Sequence, residues 1–175
     1  MKRNETFETH LLGNTLSSNS KKAYTLSKES FYGEKKNEKV YYSLHEGLFL
    51  LKNKGMKIIS NKKLLSGGDA FKKFSKIEKN FPIKYKIYEE LRKKGLILKS
   101  GIKYGADFSV YEKGKRPGKD HSTWLLSGKE SSKNLNIQEF ILKNRVANST
   151  NKKLLLAIRD AEDDILYYEV NWKKL

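Results

Sequence analysis

The sequence predicts an α+β protein: a small N-terminal α/β domain over residues 1–82, then a C-terminal mixed-sheet α/β domain over residues 83–175. Three observations carry this. A helix-type pattern running to Gly95 gives way abruptly to strand-type segments. Near the C-terminus a short apolar run, Leu154–Ile158, is followed by the alternating run Ile165–Trp172. The length of 175 residues suits one domain or two small ones.

The elements follow in chain order. The first forty residues are polar and weakly periodic, with short candidate strands at Phe7–Leu12 and Ala23–Leu26 and an aromatic turn at Phe31-Tyr32-Gly33. Ser43–Leu51 reads as a helix, because Ser43 and Glu46 form a capping box and Gly55 is a plausible stop. Gly67-Gly68 reads as a turn pair, and a second helix is expected over Asp69–Lys79. Phe81–Gly95 is a third helix. Pro82 suits its first turn, Ile83, Ile87, Tyr88 and Leu91 share a face, and Gly95 follows the cationic end Arg92-Lys93-Lys94. Strands are expected at Leu96–Lys99, Ala106–Tyr111 and Trp124–Leu126. Asn136 and Glu139 box the start of a helix reaching about Arg145. In the last run, Leu166, Tyr168, Val170 and Trp172 fall on one face.

Composition narrows the function classes. Zero cysteines exclude disulfides, a thiolate nucleophile and Cys-ligated zinc or iron–sulfur centres. The three histidines, His10, His45 and His121, are too scattered to suggest a metal cluster. Neither a membrane-length apolar stretch nor a signal peptide is read, so a soluble cytoplasmic protein without cofactor is expected. Lys and Arg number 37 against 20 Asp and Glu, a formal charge of +17. Residues 1–80 hold 17 basic and 8 acidic groups and the remainder 20 and 12, so a basic tail is not the source. Polyanion binding, an acidic membrane surface and a merely solvated compositional bias all remain open. No helix combines a basic face with a long apolar one, which disfavours the membrane. Against this background, Asp160, Glu162, Asp163 and Asp164 put four acids into five positions, at an expected hairpin tip.

His121 lies in the basic Gly/Pro-containing loop after Lys113-Gly114-Lys115-Arg116-Pro117-Gly118-Lys119-Asp120. A titratable imidazole among cations suits general acid catalysis beside a phosphate. Singly, the candidates have ordinary readings: His121 an exposed loop histidine, Tyr111 a strand tyrosine, Lys152 half of a solvated pair with Lys153. Together they form a pattern. The run Gly101-Ile102-Lys103-Tyr104-Gly105-Ala106-Asp107-Phe108-Ser109-Val110-Tyr111 closely resembles the signature of the archaeal-type tRNA-splicing endonucleases, and His121 follows Tyr111 by ten residues. Arg145-Val146-Ala147-Asn148-Ser149-Thr150-Asn151-Lys152-Lys153-Leu154 resembles that family's helix-to-strand segment. Ser43–Leu51 and Tyr85–Gly95 are also similar, so the resemblance covers about residues 25–175 and is strongest over 83–160.

The resemblance implies a C-terminal nuclease domain that cuts precursor tRNA at a bulge–helix–bulge. It implies a Tyr–His–Lys triad without metal, and 2′,3′-cyclic phosphate and 5′-hydroxyl ends. Carried over, Tyr111 is the general base, His121 the general acid and Lys152 the stabiliser of transition-state charge. Arg145 matches one of the groups that grip a bulged base, and Tyr167 stands where relatives often have a second, an arginine. Asn148 replaces a common histidine. The acidic tip, Asp160–Asp164, is expected to dock in a basic pocket of another subunit. The C-terminal strand ending near Trp172 is expected to pair with its copy. The implied partners are precursor tRNA and either a homotetramer or a heterotetramer with a related subunit, with no membrane. The rival is a non-catalytic structural subunit or RNA-binding module of the same fold, which is expected to lack the triad retained here.

Overall fold

The computed structural model describes residues 5–173. The chain forms two compact units divided inside one helix, between Tyr85 and Lys86.

The first unit contains β1 (Phe7–Leu12), β2 (Thr15–Ser18), α1 (Lys21–Ser30), β3 (Glu34–Lys36), β4 (Lys39–Tyr42), α2 (Leu44–Asn53), β5 (Met56–Ser60), β6 (Lys63–Leu65), α3 (Gly67–Ile77) and the start of α4 (Phe81–Lys93). Its six strands lie in the order β3-β4-β2-β1-β5-β6, with β1 and β5 parallel and the other pairs antiparallel. Leu16, Val40, Leu48, Leu50, Ile58 and Phe74 are fully buried. That is the apolar burial a small domain needs to offset its chain entropy.

The capping box anticipated at α2 forms and does more than cap. The Glu46 carboxylate accepts from Ser43 N at 3.0 Å and from Gly33 N at 2.8 Å, so one buried side chain ties the helix start to the aromatic turn. In that turn Tyr32 is buried. His45 is packed, its ring stacked on Phe81 with centroids 5.0 Å apart. Burial, reinforced by the Lys84 ammonium, lowers its pKa to about 3. Lys84 also holds Glu78 at 3.0 Å, so the Glu78 carboxylate, 3.6 Å from His45 Nε2, does not restore the imidazolium. His45 is therefore a neutral core residue.

Two expectations are corrected here. Ala23–Leu26, read as a strand, lies inside α1. Ser20 Oγ accepts from Ala23 N at 3.2 Å to start that helix, and Tyr32 N donates to Leu26 O at 3.2 Å to close it. A run of four residues is too short to distinguish helix from strand; the caps do. Gly67-Gly68, read as a turn pair, is the first turn of α3. Its signal is Ser66, whose hydroxyl accepts from Asp69 N at 3.1 Å.

The second unit contains the rest of α4, then β7 (Ile97–Ser100), a 3₁₀ turn (Ile102–Tyr104), β8 (Phe108–Tyr111), β9 (Trp124–Glu130), α5 (Ile137–Ser149), β10 (Lys153–Arg159) and β11 (Ile165–Val170). The sheet order is β11-β10-β9-β8-β7. Only β9 and β10 run parallel, joined through α5; the other neighbours are antiparallel. α5 starts at the Asn136 cap as expected but continues past Arg145 to Ser149. It covers one sheet face, where Ala106, Leu125, Ala147, Leu154 and Leu156 form the core with Tyr104 and Val170 against them. On the opposite face Tyr88 of α4 meets Phe108, centroids 5.9 Å apart. The alternating face of β11 is only partly covered: Leu166, Tyr168 and Trp172 are exposed, and Trp172 lies beyond the strand.

Replacing Glu46 by Ala removes the acceptor of the buried Gly33 N–H and the cap partner of the exposed Ser43 N–H, of which the buried bond carries most of the cost. Urea denaturation is expected to show a loss of about 1–3 kcal/mol for Glu46→Ala and a smaller loss for Glu46→Gln, which keeps an acceptor.

Candidate active site

The topology of the second unit gathers three chain points at one end of its sheet. β8 and β9 are antiparallel, with Val110 opposite Trp124, so the end of β8 meets the start of β9. β9 and β10 are parallel, with Trp124 opposite Lys153, so their starts coincide. Tyr111 is the last residue of β8, His121 closely precedes β9, and Lys152 immediately precedes β10. Residues 41 positions apart along the chain, Tyr111 and Lys152, thus reach the same edge.

Local bonds hold each point. α5 closes at Thr150, whose N–H reaches Val146 O and Ala147 O, both at 3.2 Å. Asn151 then takes a left-handed φ of 53°, a conformation asparagine tolerates well. Lys152 N returns to Ala147 O at 2.8 Å, and Lys152 Nζ donates to Thr150 O at 2.9 Å. Glu169 of β11 clamps the two parallel strand starts, accepting from Trp124 Nε1 at 2.8 Å and from Lys153 Nζ at 2.7 Å. The His121 loop is braced at its base. Lys115 Nζ donates to Thr123 Oγ1 at 2.8 Å and pairs with Glu112 at 2.9 Å, while Arg116 N donates to Asp120 Oδ2 at 2.7 Å.

The 3₁₀ turn inserts two more side chains. Tyr104 presents its ring to Lys152 Nζ at 5.1 Å and to Lys103 Nζ at 4.8 Å. The Tyr111 phenol is near enough to sense both: partial burial raises its pKa, the Lys103 ammonium pulls it down, and Tyr104 raises it. Among the described residues, no group of three or more His, Cys, Asp or Glu side chains is placed to hold a metal ion.

Residues 81–167 match the family model described as tRNA intron endonuclease, catalytic C-terminal domain, and residues 7–71 match that described as tRNA intron endonuclease, N-terminal domain. The chain belongs to the tRNA intron endonuclease family. Similar relatives include the tRNA-splicing endonuclease of Pyrococcus furiosus, 34% identical over 82% of each chain. That of Pyrococcus abyssi is 33% identical over 95% of this chain and 96% of its own. That of Nanoarchaeum equitans is 42% identical over 75% of this chain and 88% of its own.

Within this tRNA intron endonuclease chain, the candidates named from sequence separate into groups. Tyr111 and Lys152 are joined through Lys103 and Tyr104. His121 is exposed on its loop at the same sheet end. Arg145 is exposed on α5. Tyr167 lies on the other side of the sheet: it pairs with Ala157, its ring is 5.4 Å from Lys94 Nζ, and burial and the Glu90 carboxylate push its phenol pKa upward. Arg145 and Tyr167 are not brought together within one chain. At the hairpin tip the four acids divide in two. The Asp160 carboxylate accepts from Glu162 N at 3.0 Å and Asp164 N at 2.9 Å, holding the loop. Asp163 pairs with Lys86, and with Arg159 at 3.4 Å. No such side-chain contact engages the carboxylates of Glu162 and Asp164 among the described residues, and both are exposed.

Sequence reasoning gave Lys103 and Tyr104 no role, although both lie in the motif. The signal was a lysine and an aromatic residue between two glycines, which only the folded turn aims at Lys152. Because Lys103 favours the phenolate of Tyr111, Lys103→Ala is expected to move the Tyr111 ionisation to higher pH, read by ¹³C NMR of the tyrosine ring carbon bearing the hydroxyl.

Proposed function

We propose that this chain is a catalytic subunit of a tRNA-splicing endonuclease, cutting precursor tRNA at a bulge–helix–bulge by attack of the RNA's own 2′-hydroxyl. The observation that supports the reading best is the β8–β9–β10 register, which brings the end of β8 beside the starts of β9 and β10, the chain points next to which Tyr111, His121 and Lys152 lie. Such a reaction needs alignment, two proton transfers and charge stabilisation, and the substrate supplies the nucleophile. A metal is therefore not required by the chemistry.

In the proposed cycle Tyr111, as phenolate, accepts the 2′-hydroxyl proton and becomes the neutral phenol while the 2′-oxygen attacks the adjacent phosphorus. His121, as imidazolium, protonates the departing 5′-oxygen. The P–O5′ bond breaks, leaving a 2′,3′-cyclic phosphate and a 5′-hydroxyl. Lys152 faces the additional charge on the phosphorane-like transition state, where its ammonium acts without reorganisation. Burial raises the Tyr111 phenol pKa and the Lys103 ammonium partly offsets that rise, so the tyrosine base leans on the Lys103 field. Arg145, exposed and planar, stacks on a bulged base. Tyr167 is kept as a second contact offered to RNA bound across subunits, its ring already carrying Lys94.

Two surfaces fit a tetramer, made either of identical chains or with a related subunit. Glu162 and Asp164 face outward on a chain of formal charge +17, so they suit a basic pocket on another copy. β11 is an edge strand with Leu166, Tyr168 and Trp172 exposed beside it, which suits pairing with its own copy.

With a bulge–helix–bulge RNA and EDTA present, His121→Ala is expected to lower single-turnover cleavage by 10²-fold or more, on the order of a lost general acid, with RNA affinity retained. Full activity in that variant contradicts the acid role. An inactive wild-type chain with intact RNA binding favours the non-catalytic subunit instead. Separately, Glu162→Gln with Asp164→Asn is expected to reduce the assembly mass measured by light scattering, whereas an unchanged mass rejects the docking role.

A further inference from the structure

The motif Gly101–Tyr111 contains an aromatic side chain that the proposed cycle leaves without a role. We propose that Tyr104 is a positioning residue: its ring is a shared platform that holds the ammonium groups of Lys152 and Lys103 toward the reacting phosphate. The inference rests on the reading of Lys152 given above, and it adds Lys103 as a second cation of the phosphate site.

The platform is built rather than incidental. Tyr104 closes a 3₁₀ turn in which Tyr104 N donates to Gly101 O at 2.9 Å and Gly105 N to Ile102 O at 2.9 Å. Gly101 has no room for a side chain: an added Cβ would lie 2.8 Å from the Phe108 carbonyl carbon and 2.9 Å from Ala106 O, both backbone atoms. Gly105 ends the turn at a φ of 70°, which a larger residue adopts only with strain. Two glycines thus fix the turn. Its side chains then divide: Ile102 is 82% exposed, while Tyr104 packs on the core formed by Ala106, Leu125, Ala147, Leu154 and Leu156. The ring is anchored to the same core that seats α5 and the start of β10, the two elements flanking Lys152.

The chemistry explains why such an anchor is useful. A lysine carries about 2 kcal/mol of rotamer entropy on its flexible stem, so an unsupported ammonium samples many positions. Here the Lys152 ammonium, which has three donors, gives one to Thr150 O at 2.9 Å and lies 5.1 Å from the Tyr104 centroid. A donor remains for phosphate. Lys103 Nζ lies 4.8 Å from the same centroid, and two cations on one ring repel each other. An anion bound beside them relieves that repulsion. The arrangement is suited to the charge that grows on a phosphate in the transition state.

The test replaces Tyr104 by Phe, which keeps the ring and its negative face, and by 4-fluorophenylalanine and pentafluorophenylalanine, which keep the ring's shape while withdrawing that face. Single-turnover cleavage and RNA dissociation constants are then measured. Tyr104→Phe is expected to stay within a few-fold of wild type. The fluorinated series is expected to slow cleavage progressively, on the order of tenfold at pentafluorophenylalanine, between the sizes of an exposed and a desolvated cation–π contact. RNA affinity should change much less. In a Lys152→Ala, Lys103→Ala background, fluorination should have no further effect. A readout independent of cleavage is the ring-current shift of the Lys152 ε-methylene protons in NMR, present in wild type and absent in Tyr104→Leu. Undiminished cleavage at pentafluorophenylalanine overturns the proposal, as does equal loss in Tyr104→Phe, which assigns the role to the hydroxyl. Absence of the Lys152 shift also overturns it. If wild type fails to cleave while the shift is present, the platform stands and the assigned reaction fails.

Discussion

The parallel pairing of β9 with β10 is the constraint on which the site depends. In an otherwise antiparallel sheet it forces a crossover, and α5 supplies it. Because both strands begin at the same edge, whatever precedes β9 and whatever precedes β10 become neighbours. β8, antiparallel to β9, delivers its own end there as well. The segments that carry a loop imidazole, a strand phenol and a lysine at a helix-to-strand junction are therefore brought to one sheet end by hydrogen-bond register. The core of Leu125, Ala147, Leu154 and Leu156 under α5 holds this arrangement, and Glu169 closes it at the edge.

Charge acts at two ranges. The formal +17 is a long-range field that raises the local concentration of a polyanion and falls with salt. At short range a few groups are held in place: Lys152 by Thr150 O and the Tyr104 ring, Lys103 by the same ring. The acids at the β10–β11 tip show a similar division. Asp160 and Asp163 organise the hairpin itself, through backbone donors and through Lys86 and Arg159. Glu162 and Asp164 remain directed outward, so the docking role proposed for the whole tip falls on these two.

Much of this was legible in the chain. Caps announced α2 and α5, Gly95 announced the end of α4, and the motif from Gly101 to Tyr111 with His121 and Lys152 named the residues of the candidate site. What failed did so for local reasons. The Ala23–Leu26 run was too short to reveal its period, and Ser20 and Ser66 were overlooked as helix starts. The strands β2 to β6 are only three to five residues long, too short for alternation to show. Tyr104 was visible as part of a motif but not as a contact, because its relation to Lys152 spans 48 positions and exists only after β10 is seated beside β9. The separation of Tyr167 from Arg145 likewise follows from strand alternation and from which face each helix covers.

In the proposed mechanism the RNA supplies the nucleophile and the protein supplies only position, protons and charge. This division is tested most directly by a bulge–helix–bulge RNA carrying a single 2′-deoxy sugar at each scissile nucleotide, incubated with the wild-type chain in EDTA. The deoxy RNA is expected to bind as the all-ribose RNA does and not to be cut, while the all-ribose RNA yields 2′,3′-cyclic phosphate and 5′-hydroxyl ends. Cleavage of the deoxy RNA, or products bearing a 5′-phosphate, would contradict it.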